Sequence, residues 1–126
     1  MKTVVVIDDA ILIRRQLKTF FEDVMGLKVV GQGADGEQAV KVYKDKSPDL
    51  ITMDLIMPNK SGMEAIDEII EFDPEARILV ISSDKTEDKI TRALNLGAKG
   101  FILKPLELHS DSFVEWFKEE INDALE

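Results

Sequence analysis

Three aspartates, Asp8, Asp9 and Asp54, a serine pair, Ser82-Ser83, and Lys104 ahead of Pro105 share one context: each stands directly after a short apolar, β-branched run. Carboxylates grouped at such positions can hold a divalent cation. Mg2+ in particular takes one or two carboxylates together with waters and phosphate oxygens. A carboxylate is also a nucleophile toward phosphorus and forms an aspartyl phosphate. Phosphoryl transfer further needs an in-line approach and positive charge around the equatorial oxygens, for which Lys104 offers a cation and Ser82 a hydroxyl donor. Taken singly, each residue has a plainer reading. Acids before a helix are usually caps, and serine pairs and Lys-Pro steps usually belong to loops. Such groups at the ends of four strands in one chain are harder to obtain from capping alone.

The elements that must position these residues alternate. Runs at 3–7, 28–31, 49–53, 77–82 and 99–103 read as strands, and helical patterns separate them. This alternation predicts a parallel sheet covered by helices on both faces. The first helix has an apolar stripe of Ala10, Ile13, Leu17, Phe20, Phe21 and Val24, with Ile11 and Leu12 off it. The second follows Gly36, turns Ala39, Val40 and Tyr43 inward and cannot pass Pro48. The third opens near Gly62, buries Met63, Ile66, Ile69 and Ile70, and stops at Pro74. The fourth faces in with Ile90, Ala93 and Leu94, and Gly97 ends it. Ser112 and Glu115 have the spacing of a capping box for the fifth, ahead of Phe113, Phe117, Ile121 and Ala124. In an open parallel sheet, ligands bind beyond the carboxyl ends of the strands where the winding reverses, which is where Asp8, Asp9 and Asp54 fall.

Composition narrows the function. The 126 residues, 44% hydrophobic and 33% charged, suit one globular domain spanning 1–126. A formal charge of -9, from 25 acids and 16 bases, argues against nucleic acid as a partner and suits a cation site. The absence of cysteine rules out disulfides and thiolate metal sites and fits a cytoplasmic protein. The first apolar run is too short for a signal peptide or a membrane span, so no membrane association is expected.

The set as a whole resembles the receiver domains of two-component response regulators, particularly single-domain chemotaxis receivers. The resemblance rests on Asp8-Asp9, on Asp54-Leu55-Ile56-Met57-Pro58 with Gly62, on Ser82, and on Gly97-Ala98-Lys99-Gly100-Phe101 leading into Lys104-Pro105. It implies a flavodoxin-like, doubly wound α/β fold with five strands in the order 2-1-3-4-5 and five helices. It also implies that Asp54 accepts the phosphoryl group, with Lys104 and Ser82 binding its oxygens. Mg2+ would be held by Asp8, Asp9, Asp54 and the Ile56 backbone carbonyl, Asp8 acting mostly through water. Ser82 and Phe101 would form the switch, and the Lys104–Pro105 bond would be cis. The implied partners are a histidine kinase or phosphotransfer protein and a downstream protein target met through the face of helix four, strand five and helix five. The implied oligomeric state is a monomer or a phosphorylation-dependent dimer. Such a domain catalyses only its own phosphorylation and dephosphorylation. Three positions depart from the family pattern: Phe101 lacks the hydroxyl of the tyrosine also common there, Ser83 is larger than usual, and 106–111 is a longer link to the last helix.

Other readings fit less well. A phosphatase of the haloacid dehalogenase type also uses a strand-end aspartate with Mg2+, but it needs an Asp-x-Asp motif, and the acids here are adjacent. Gly31-Gln32-Gly33-Ala34-Asp35-Gly36 matches a dinucleotide fingerprint in the second βα unit, at a strand expected on the sheet edge, without the paired half that such binding requires. A scaffold protein would leave the strand-end cluster unexplained. His109 and the terminal acids read as solvated, Trp116 as packing at the edge of the last helix, and Met53 and Met57 as packing residues. Ile11 and Leu12, apolar beside the site, are candidate contacts for the phosphodonor.

Overall fold

The computed structural model describes residues 1–126. Its elements are β1 (Thr3–Ile7), α1 (Ile11–Thr19) running into a π-helical turn (Phe20–Val24), β2 (Lys28–Gly33), α2 (Gly36–Lys46), β3 (Leu50–Met53), α3 (Gly62–Phe72), β4 (Ile78–Ser82), α4 (Glu87–Leu96), β5 (Gly100–Leu103) and α5 (Asp111–Leu125). The strands form one parallel sheet in the order β2-β1-β3-β4-β5.

Strand periodicity divides the core between the two faces. Val4, Val6, Leu50, Leu79, Ile81 and Ile102 point to one side, where Leu17, Phe20 and Phe21 of the α1 segment and Phe117 and Ile121 of α5 cover them. Val5, Ile7, Ile51, Met53, Ile78 and Val80 point to the other, beneath Tyr43 of α2, Ile66 and Ile69 of α3 and Ala93 of α4. Both faces are sealed, so the strands read as continuous apolar runs.

Five local features depart from the sequence reading. The π-helical turn, closed by the Met25 N–H to Phe20 carbonyl bond, accommodates one extra residue. Phe20 and Phe21 therefore both point inward, Phe20 stacking on Phe117 at 5.1 Å, while Val24 is carried out to 50% exposure. Ala10 is the exposed N-cap of α1 and no part of its buried stripe. On α4 it is Leu96, not Leu94, that packs against the core. The fifth helix starts one residue earlier than its expected box: the chain turns over Glu107 to Ser110, and Ser110 caps α5 by accepting from the Phe113 N–H. β2 runs to Gly33 because a bulge opposite Val4 and Val5 absorbs one residue and lets pairing resume.

Tyr43 ties α2 to the turn after α3. Its hydroxyl donates to the Asp73 carboxylate at 2.7 Å, and burial, then that bond, push the phenol's pKa well above the ordinary value. Tyr43→Phe is expected to cost about 1.5 kcal/mol in urea unfolding, the range for a bond to a charged acceptor.

Candidate phosphoacceptor and metal site

Pairing of β1 with β3 puts Ile7 beside Met53, so the next residues, Asp8 and Asp54, leave the sheet side by side. The Asp8 N–H still donates to the Gly33 carbonyl and the Asp54 N–H to the Ile7 carbonyl, which fixes both backbones at the rim. This is the point where the winding reverses, β2 lying to one side of β1 and β3 to the other.

One carboxylate oxygen from each of Asp8, Asp9 and Asp54 lies within 4.8 Å of the other two. Asp8 and Asp54 are buried, at 1% and 4% exposure, and Asp9 is exposed. Asp8 accepts from the Ala10 N–H at 2.9 Å, and the Arg14 guanidinium donates to its backbone carbonyl. Asp54 accepts from the Ile56 N–H at 3.3 Å. From the far side of the chain Lys104 reaches both acids, its ammonium 2.7 Å from Asp8 and 3.3 Å from Asp54. The Lys104 N–H donates to the Ser82 carbonyl, and the bond to Pro105 is cis.

Burial, then the charge of Asp8, push the Asp54 carboxyl above the ordinary carboxylate range, with Lys104 acting in the opposite direction. Burial alone would lower the pKa of Lys104, but its hydrogen bond to Asp8 and the charges of Asp54 and Asp8 outweigh this and raise it. The result is two buried acids sharing one cation, with a third acid at the open side. An all-oxygen donor set with surplus negative charge fits Mg2+.

Ser82 is fully buried at the end of β4, and its hydroxyl oxygen accepts from the Asp84 N–H at 3.2 Å, leaving the hydroxyl proton free to donate. Asp84 is in turn fixed by Lys89 at 2.9 Å and by the Thr86 N–H, which bring its carboxyl down to about 2. Phe101 lies on the same sheet face as Ser82, paired with Val80, and packs half-buried against the core. Ile56, 53% exposed, stands in the β3–α3 loop. The fingerprint glycines do other work. Gly31 and Gly33 belong to the edge strand β2, and Gly36 lies so close to the Lys60 carbonyl that a Cβ there would overlap it.

Sequence reasoning did not single out Arg14. Arg14, in the first turn of α1, reaches back to the Asp8 backbone carbonyl, a contact that its spacing in the sequence does not mark. Gly62 was legible as part of the family pattern and as the start of the third helix, but its tight approach to the backbone just after β3 has no further sequence signal. A Cβ at Gly62 would overlap the Asp54 carbonyl oxygen and lie 2.8 Å from the Leu55 Cα. Gly62→Ala is expected to destabilise the protein by about 2 kcal/mol in chemical denaturation, because it overpacks backbone that cannot retreat.

Fold and site together define a receiver. The response regulator receiver domain profile matches residues 4–111, and the chain belongs to that family of signalling proteins. Its relatives include the chemotaxis protein CheY of Thermotoga maritima, 40% identical over 106 residues that cover 84% of this chain and 88% of that one. CheY of Bacillus subtilis is 36% identical, with 94% and 97% covered. Among solved structures, the response regulator domain of Thermotoga maritima CheB superposes with a TM-score of 0.86 at 35% identity, covering 99% of this chain and 96% of that one. A CheX-CheY complex of Borrelia burgdorferi, described with BeF3 and Mg, gives 0.86 at 32% identity, with 95% and 86% covered. The flavodoxin-like order is shared with these chemotaxis receivers.

Proposed function

We propose that residues 1–126 form a single cytoplasmic receiver domain that takes a phosphoryl group on Asp54 in the presence of Mg2+ and passes the signal on by protein contact. The observation that carries this reading is the buried Asp8–Lys104–Asp54 arrangement with Asp9 beside it, 2.7 Å and 3.3 Å between the lysine and the two acids. No helix is long and apolar enough to cross a membrane.

An Asp54 oxygen attacks the phosphorus of a phosphohistidine in line. The new P–O bond forms as the P–N bond breaks, and the released imidazole takes up a proton from solvent. Asp8, Asp9, Asp54 and the Ile56 carbonyl would hold Mg2+, which when bound supplies positive charge to the phosphoryl oxygens and relieves the crowding of the acids. Lys104 moves its ammonium onto one phosphoryl oxygen, and the Ser82 hydroxyl donates to another. Ser82, drawn toward the phosphoryl group, vacates space that Phe101 fills from its half-buried position. Loss of the Asp84 N–H bond to Ser82 transmits the movement to α4. Driving such a two-state element fully across takes about 5.5 kcal/mol of differential contact.

The test is incubation with a small phosphodonor and Mg2+, read by intact mass and by NMR. The expected result is one added phosphoryl group, with amide shifts in α4, at Phe101 and along the adjacent face of β5. A phosphorylated protein whose α4 amides stay in place would remove the switch from this reading.

Docking of the phosphodonor is assigned to Ile11 and Leu12, exposed at 56% and 63% directly after the acids. Replacing both with alanine is expected to slow transfer from a histidine kinase or phosphotransfer protein by about tenfold, the effect of losing roughly 1.4 kcal/mol of contact. Labelling by the small phosphodonor should be unaffected. An unchanged kinase rate would dispose of the assignment.

A further inference from the structure

The loop between β3 and α3, residues 54–61, carries the Ile56 carbonyl and is pinned from outside the acid cluster. Asp35, at the start of α2, is 7% exposed. One of its oxygens accepts from the Gln38 N–H at 2.8 Å and caps the helix, and the other accepts from the Asn59 side-chain amide, also at 2.8 Å. Those two bonds, the first larger, hold the Asp35 carboxyl below the ordinary range. Next to it the Gly36 N–H donates to the Lys60 carbonyl at 2.9 Å, and the backbones meet so closely that a Cβ at Gly36 would lie 2.6 Å from the Ser61 carbonyl oxygen. Asn59 itself adopts φ +63°, a left-handed conformation that asparagine tolerates better than most residues. The loop closes on its own base through the Gly62 N–H to Leu55 carbonyl bond.

A cap on α2 requires only the Gln38 bond. The second oxygen of a buried carboxylate is used instead to grip a loop residue 24 positions away, three residues beyond Ile56. Neither Asp35 nor Asn59 belongs to the carboxylate cluster formed by Asp8, Asp9 and Asp54. We propose that Asp35 and Asn59 are positioning residues for cation binding: their hydrogen bond holds the β3–α3 loop so that the Ile56 carbonyl and Asp54 face the same ion. This inference rests on the Mg2+ reading above. Partners that orient direct ligands without touching the metal commonly govern affinity by tenfold or more.

The experiment titrates MgCl2 into isotopically labelled protein and reads Kd from the amide shifts of Asp9 and Ile56. Asn59→Asp sets two carboxylates against each other, and by charge alone an added acid near a cation site would tighten binding. The proposal predicts the opposite, a Kd about tenfold weaker. The exchange Asp35→Asn with Asn59→Asp restores a donor–acceptor pair and keeps a good helix cap, so it should recover most of the lost affinity. Asn59→Gly, which keeps the left-handed backbone and removes only the donor, should weaken binding in the same direction. Melting each variant in EDTA separates folding from affinity. Asn59→Asp binding as tightly as wild type, or the exchange as weak as the single variant, would overturn the proposal. A wild type without saturable shifts would remove the Mg2+ reading itself, and this inference with it.

Discussion

Asp54→Asn, incubated with a small phosphodonor and Mg2+, is expected to gain no phosphoryl group, while wild type gains one. The replacement keeps the shape of the side chain and a carbonyl oxygen that can still accept from the Ile56 N–H. It removes the anionic nucleophile, and loss of the attacking group should slow labelling by at least about a hundredfold. The neighbouring acids are poor substitutes. Asp8 is 1% exposed, with its oxygens engaged by the Ala10 N–H and Lys104. Asp9 is exposed and stands at the open side of the cluster. Comparable labelling of Asp54→Asn and wild type would place the chemistry on another residue and end the present reading. Intact mass followed by peptide mapping makes the distinction.

The rim of the sheet was legible because one rule governs it. In a parallel sheet every carboxyl end lies at the same edge, so residues after successive strands become neighbours whatever their separation in sequence. That logic brought Asp8, Asp54 and Lys104 together, and the contact between Lys104 and Asp8 spans 96 positions. The bounds of β1 were legible for a similar reason, since the apolar run ends abruptly at two acids. Elements whose limits depend on local competition were harder. Ser110 and Ser112 are both plausible caps, and only the turn closed by the Ser110 N–H on the Glu107 carbonyl decides for Ser110. The π-helical turn was hidden because adjacent Phe20 and Phe21 are compatible with a regular stripe until Phe117 stacks on one of them. The Asp35–Asn59 grip was not legible at all, because it depends on how closely α2 approaches the β3–α3 loop. Its local trace was the Asp35-Gly36 pair with Gln38 three residues after the cap, which marks a helix start and carries no sign of the second bond.

The second large effect concerns stability without the cation. Asp8 and Asp54 are buried together, and the Lys104 ammonium bridges them. Removing that ammonium while keeping the bulk of the stem, as in Lys104→Met, leaves two buried carboxylates without a counter-charge. Breaking a buried ion pair from one side costs about 3 kcal/mol or more. Asp54→Asn acts in the other direction, since the raised pKa of Asp54 means that the fold disfavours its charged form. The sign follows from linkage. Stability associated with Asp54 is fully present below the ordinary carboxylate pKa and is lost as pH rises through the higher folded value, so wild type near neutrality carries the penalty and Asp54→Asn does not. Melting in EDTA at neutral pH should therefore rank Asp54→Asn above wild type and wild type well above Lys104→Met. Mg2+ at about ten times its Kd should add about 1.4 kcal/mol to wild type. The gain should be much smaller in Asp54→Asn, which has lost a charged ligand. Wild type and Asp54→Asn melting together in EDTA, with no response of wild type to millimolar Mg2+, would mean that the clustered acids neither repel one another nor hold an ion. The arrangement around Lys104 would then be an ordinary buried salt bridge.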